Sequence, residues 1–110
     1  MADLTVKVID GDPPVVALAG EVDLATAPMF EDAILALLKR GKESVAVDLG
    51  RVSYLDSTGV SVLMKAVKRC RKRGGDLVVV GISDRALRVM RLLNLDRVVR
   101  FRPNGARMAA

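Results

Sequence analysis

The fold class this sequence predicts is a single α/β domain: an opening antiparallel hairpin, then parallel strands alternating with helices that cover mainly one face of a mixed sheet. Three observations predict it. Two short alternating apolar runs, 4–9 and 15–19, flank the turn-forming Asp10-Gly11-Asp12-Pro13-Pro14. Two later apolar runs, 44–49 and 77–80, each lead into a segment whose apolar residues recur with helical period. A chain of 110 residues is one domain with one core.

In the first run Leu4, Val6 and Val8 alternate with Thr5, Lys7 and Ile9, and the second run returns beside it as a hairpin at one side of the sheet. Gly20 to Asp23 leads into a helix starting near Thr26, where Pro28 is tolerated in the first turn and Glu31 and Asp32 favour the positive end of the dipole. Phe30, Ala33, Ile34, Leu37 and Leu38 form its buried stripe, Lys39 and Arg40 complement its negative end, and Gly41 stops it. In the central strand, 44–49, Val45, Val47 and Leu49 alternate with Ala46 and Asp48. The next helix carries Val60, Leu63, Met64 and Val67 at i, i+3, i+4 and i+7, and closes on Lys68, Arg69, Arg71, Lys72 and Arg73 before Gly74-Gly75. Residues 77–80 suit an interior strand covered on both faces. Ser83 is placed to cap a third helix that turns Leu87, Met90 and Leu93 inward and leaves Arg85, Arg88 and Arg91 in water. A last strand spans 98–101, Pro103 ends it, and 103–110 is expected to fray. Chain chirality makes the crossovers right-handed.

Composition removes several function classes. With 51% hydrophobic residues the chain is not disordered, and no apolar run approaches the roughly 18 residues of a membrane span. The start, MADLTVKVID, lacks the basic-then-apolar order of a signal peptide, so a cytoplasmic protein is expected. The absence of histidine removes the common metal sites and histidine-based triads, and the lone Cys70 cannot form an internal disulfide. No catalytic residue, metal or cofactor is expected, and the protein is read as no enzyme.

Charge is uneven: residues 1–50 hold nine acids and four bases, while 51–110 hold four acids and fourteen bases, so the halves carry −5 and +10. Such asymmetry fits an acidic partner surface, nucleic acid, anionic lipid or merely a solvated face. Nucleic acid is disfavoured. The six bases from Lys65 to Arg73 are accounted for by a helix C-terminus, and Phe30, Tyr54 and Phe101 make no interleaved stacking platform.

The candidate site is Asp56-Ser57-Thr58-Gly59, which joins the central strand to its helix. Asp56 or Ser57 can accept from the free amides of the first turn, and those amides with the dipole favour an anion, so a phosphate on a hydroxyl there is well placed. An Asp-Ser pair before a helix is also an ordinary cap. The chain has no phosphate-cradling loop of its own, so a kinase must bring ATP, magnesium and base.

With this D-S-T-G turn, Gly20-Glu21-Val22-Asp23, Gly74-Gly75-Asp76-Leu77 and Leu92-Leu93-Asn94-Leu95-Asp96 in order, nearly the whole chain resembles STAS domains, specifically the bacterial anti-sigma factor antagonists. The resemblance implies a STAS-type fold in which Ser57 is phosphorylated by an anti-sigma factor with serine kinase activity and restored by a phosphoserine phosphatase. Unmodified, the domain would bind that anti-sigma factor and free a sigma factor. The alternatives are a constitutive adaptor, such as a subunit of a lipid-transport ATPase, and a small-molecule or nucleotide-binding STAS domain. Thr58 is a second hydroxyl on the expected partner surface, Gly59 permits close approach of a partner at the first helical turn or simply fits the turn, and Asp56 orients Ser57 or caps. Asp23 matches the family's second acidic position or is a capping residue. Helical geometry adds Met29 and Val62 to the expected partner surface, as apolar residues turned away from the core near the same end of the sheet. The basic balance departs from a family whose members are often acidic.

Overall fold

The turn at Asp10 to Pro14 closes a hairpin: β1 (Leu4–Ile9) pairs antiparallel with β2 (Val15–Val22), with Leu4 opposite Gly20 and Ile9 opposite Val15. The computed structural model describes residues 3–102, and the tail expected to fray at 103–110 lies outside them. After the hairpin come α1 (Ala27–Lys39), β3 (Val45–Leu55), α2 (Ser57–Lys72), β4 (Leu77–Ile82), α3 (Asp84–Leu92), a 3-10 turn (Leu95–Arg97) and β5 (Arg100–Phe101). The strands lie in the order β1-β2-β3-β4-β5, and every pairing after the first is parallel. This is the mixed sheet that the alternation of runs predicts.

Three strands outrun their predicted ends. In β2 the chain continues through Gly20, whose φ of +115° suits glycine, and a side chain there would run into the Asp3 carbonyl oxygen. In β3 the register slips at Val47/Asp48 against β4, and Gly50 N donates to Asp48 Oδ1 at 2.8 Å. Beyond that irregularity Val52 and Leu55 face the core, so the strand persists although simple alternation has ended. β4 also continues, through Gly81 to Ile82. The last strand is shorter than 98–101, because the amides of Val98 and Val99 both turn back to the Leu95 carbonyl and cannot join a ladder.

α1 and α2 pack on one another and on one face of the sheet. Phe30, Ile34 and Leu37 of α1 meet Leu63, Val67 and Cys70 of α2 in one core with the inward residues of β2, β3 and β4. Burial pushes the Cys70 thiol pKa up, and nearby Asp76 adds to this, so the cysteine is a core residue. Because α2 touches α1 as well as the sheet, it buries a second row. Val62 and Ala66 lie on that row, and Arg69, one turn further, reaches Glu31 of α1 at 3.5 Å. Val62 is only 7% exposed, which corrects the expectation that it faces away from the core.

β4 stops opposite Leu49, whereas β3 runs on to Leu55, and α3 packs along that projecting end. Ser83 caps α3 as predicted: its Oγ accepts from Ala86 N at 3.2 Å and donates to Val52 O at 2.6 Å. Ala86 and Met90 are buried. Leu93, expected to face inward, is exposed, since the helix ends there and Asn94 takes a left-handed conformation with φ 57°.

Candidate functional site

Val22 and Leu55 are register partners at the ends of β2 and β3, and Asp56 N donates to Val22 O at 3.2 Å. Asp23 and Asp56, the next residues of each chain segment, therefore leave the sheet side by side. The predicted Asp23 and Ser57 regions meet at one end of the sheet.

Asp56 is the single residue between β3 and α2. Its extended backbone, φ −107° and ψ −175°, turns the chain, and its Oδ1 accepts from Thr58 N at 2.9 Å and Gly59 N at 3.1 Å. Such a cap contributes about 1 kcal/mol to helix stability. Val60 N returns to the Asp56 carbonyl at 3.0 Å. The amides expected to be free for a phosphate are thus taken by Asp56, and among the described residues only the Ser57 amide of this turn has no hydrogen bond. Of the two roles open to Asp56, capping is the one observed.

Ser57 is exposed, and among the described residues nothing hydrogen-bonds its hydroxyl. Thr58 is half-buried. Gly59 is buried, and a Cβ there would sit 2.7 Å from both Leu55 Cδ1 and Val22 Cγ1. The close approach that Gly59 permits is to its own sheet, so of its two readings the fit to its own turn is the one observed.

Asp23 organises the companion turn. Its Oδ1 accepts from Ala25 N at 2.9 Å and Thr26 N at 3.0 Å, and Asp23 N donates to Thr26 Oγ1 at 3.0 Å. Thr26 Oγ1 in turn donates to Glu21 O at 2.7 Å, so this buried hydroxyl is satisfied. Each aspartate engages its Oδ1 locally; Oδ2 of either has no hydrogen bond among the described residues. The surface around Ser57 consequently carries two adjacent carboxylates.

The family model described as "Mlab, STAS domain" matches residues 6–100. This chain belongs to the STAS domain family. It is 33% identical over 99 residues to the anti-sigma-B factor antagonist of Listeria monocytogenes, covering 90% of this chain and 87% of that one. It is 32% identical over 84 residues to the anti-sigma-B factor antagonist of Bacillus subtilis, covering 76% of each. The crystal structure of an anti-sigma factor antagonist from Mycobacterium paratuberculosis superimposes with a TM-score of 0.83 at 30% identity, over 94% of this chain and 89% of that one.

In this STAS domain the apolar surroundings of the turn differ from those expected. Met29 is exposed at 45%, as helical geometry requires, whereas Val62 belongs to the core. Two exposed apolar residues escaped sequence reasoning: Leu24, at 76%, directly follows Asp23, and Tyr54, at 46%, lies three residues before Ser57. The signal for Leu24 was a leucine inside a turn. Tyr54 lay beyond the point where alternation ended. Among the described residues no cluster of three or more His, Cys, Asp or Glu is arranged to hold a metal ion, and no helix is long and apolar enough to cross a membrane.

Proposed function

We propose that this STAS domain is an anti-sigma factor antagonist whose binding is switched off by phosphorylation of Ser57. The partner is an anti-sigma factor that is also a serine kinase, met in the cytoplasm, and a phosphoserine phosphatase resets the switch. The observation that carries this reading is the exposed, unbonded Ser57 hydroxyl beside the Asp56 and Asp23 carboxylates. The names of the Listeria and Bacillus relatives support the partner class. The domain serves as substrate: Ser57 Oγ attacks the γ-phosphorus of the kinase's ATP, its proton passes to a base of the kinase, and ADP leaves.

In the unmodified state the partner covers Ser57 and its neighbours Thr58, Asp56, Asp23, Met29 and Leu24. Phosphorylation adds about −1.5 to −2 charges to that surface. The phosphate would add to the two aspartate carboxylates beside it, and burying an unpaired charge under the partner costs about 3 to 5 kcal/mol. A loss of about 3 kcal/mol weakens binding more than 100-fold.

The test is to incubate the domain with the purified anti-sigma factor kinase and ATP and map the phosphate by peptide mass. Label on Ser57 is the expected result; label on Thr58 alone, or none, refutes the reading. Ser57→Ala should bind and resist inactivation, and Ser57→Asp should bind more weakly than wild type.

A further inference from the structure

The basic second half of the chain has a local expression next to the Ser57 turn. Tyr54 and Leu55 at the end of β3, with Arg85, Arg88 and Val89 of α3, line one cleft. Leu55 also lies against Gly59, so the cleft adjoins the phosphoacceptor turn. Arg85 and Arg88 are exposed, and neither joins an ion pair among the described residues. Asp84 is the acid on the same helix, one turn before Arg88, and it does not pair with it either. Tyr54 is the chain's single tyrosine and stands half in solvent.

We propose that the partner interface extends from the Ser57 turn across Tyr54 onto α3, where Arg85 and Arg88 engage an acidic patch of the anti-sigma factor. This rests on the reading of Ser57 as the centre of that interface. Tyrosine and arginine are the residue types enriched among binding hot spots, and a guanidinium takes a carboxylate in a two-pronged, oriented contact. The pattern of signs selects the class of partner. Asp23 and Asp56 form a negative patch and Arg85 and Arg88 a positive one beside it, so a polyanion such as nucleic acid or an anionic bilayer would be repelled at one end while attracted at the other. A protein surface bearing both signs satisfies both patches. Lys65 and Lys68, exposed on α2 and free of ion pairs among the described residues, line a different part of the surface and lie outside this interface.

The experiment measures the Kd of the anti-sigma factor kinase for wild type, R85E/R88E and K65E/K68E, at low and high salt, with thermal melts of each variant as the fold control. Both double variants change net charge equally. The expected result is at least a tenfold loss for R85E/R88E, with a flatter salt dependence, and less than a threefold loss for K65E/K68E. Binding by R85E/R88E within threefold of wild type overturns the proposal, as does an equal loss in K65E/K68E, which would mark a long-range charge effect. R85A/R88A provides the same reading should the charge reversal fail to fold. Vesicles with 30% phosphatidylserine serve as the lipid arm: retention lost in R85E/R88E with partner affinity unchanged reassigns the arginines to lipid. Ser57→Asp in the same assay keeps the two readings apart, since wild-type affinity there removes the phosphorylation switch while a weakened R85E/R88E leaves the arginine contact standing.

Discussion

Gly59→Ala sets two local effects against each other, and the structure decides which wins. Alanine is the better helix former, by up to about 1 kcal/mol at an interior position. Its methyl would sit 2.7 Å from Leu55 Cδ1 and Val22 Cγ1 and 3.2 Å from Val22 Cβ, whereas carbon atoms rest at about 3.5 to 4.0 Å. Val22 is β-branched, fully buried and held in β2, so it cannot rotate away, and Leu55 is nearly as enclosed. Relief must come from lifting the start of α2 off the sheet. Two contacts at 2.7 Å put this case in the upper part of the range of about 1 to 3 kcal/mol for overpacking, so after a helical gain of about 1 kcal/mol a net loss of about 1 to 2 kcal/mol remains. At about 4 to 8 °C per kcal/mol for a domain of this size, Tm should fall by roughly 5 to 15 °C. Differential scanning calorimetry on the purified variant reads this directly. A Tm equal to or above wild type would refute the packing argument. Because the displaced helix carries Ser57, labelling by the kinase should slow in the same variant.

Asp56→Ala removes the acceptor for the Thr58 and Gly59 amides and should cost about 1 kcal/mol, while Asp56→Asn, an equally good cap, should stay within about 0.5 kcal/mol of wild type by urea denaturation. If Asp56→Asn is as damaging as Asp56→Ala, charge and not capping supports the turn. Val62→Ala should lose about 2 kcal/mol of stability because the residue is in the core, whereas Met29→Ala should melt like wild type and lose at least about 1 kcal/mol of partner binding. Phosphorylated Ser57 gains about 0.3 to 1 kcal/mol from the helix dipole and loses a similar amount to the neighbouring Asp56 carboxylate, so Tm should move by no more than about 4 °C. A phosphoprotein that melts many degrees lower would mean that the switch works by unfolding.

The parts of the molecule that could be read from the amino acids are those where one period holds from end to end. β1 and α1 fall in this class, and the D-S-T-G turn was found through Asp56, whose cap is local in sequence. What escaped depends on neighbours distant in the chain. β3 was cut short because the irregularity at Asp48 to Gly50 resets which residues face inward, so Val52 falls out of parity with Val47 and Leu49, and a second slip against β2 between Val52 and Tyr54 restores it at Leu55. Val62 was misassigned because a single apolar stripe describes a helix lying on a sheet, and α2 is also covered by α1. Either Asp56 or Ser57 could by residue type accept from the first-turn amides, and the extended backbone at Asp56 makes it the cap.

A join of one residue between β3 and α2 leaves the chain no slack where Ser57 stands. If Ser57 is the phosphoacceptor proposed above, no loop lies at this join to refold when its hydroxyl is modified, and kinase, phosphatase and anti-sigma factor would all dock on one backbone. The message is then written in charge alone. Inserting a single glycine between Asp56 and Ser57 would add about 3.5 Å of chain and uncouple the hydroxyl from the strand that aims it, silencing the switch while leaving each residue of the motif in place.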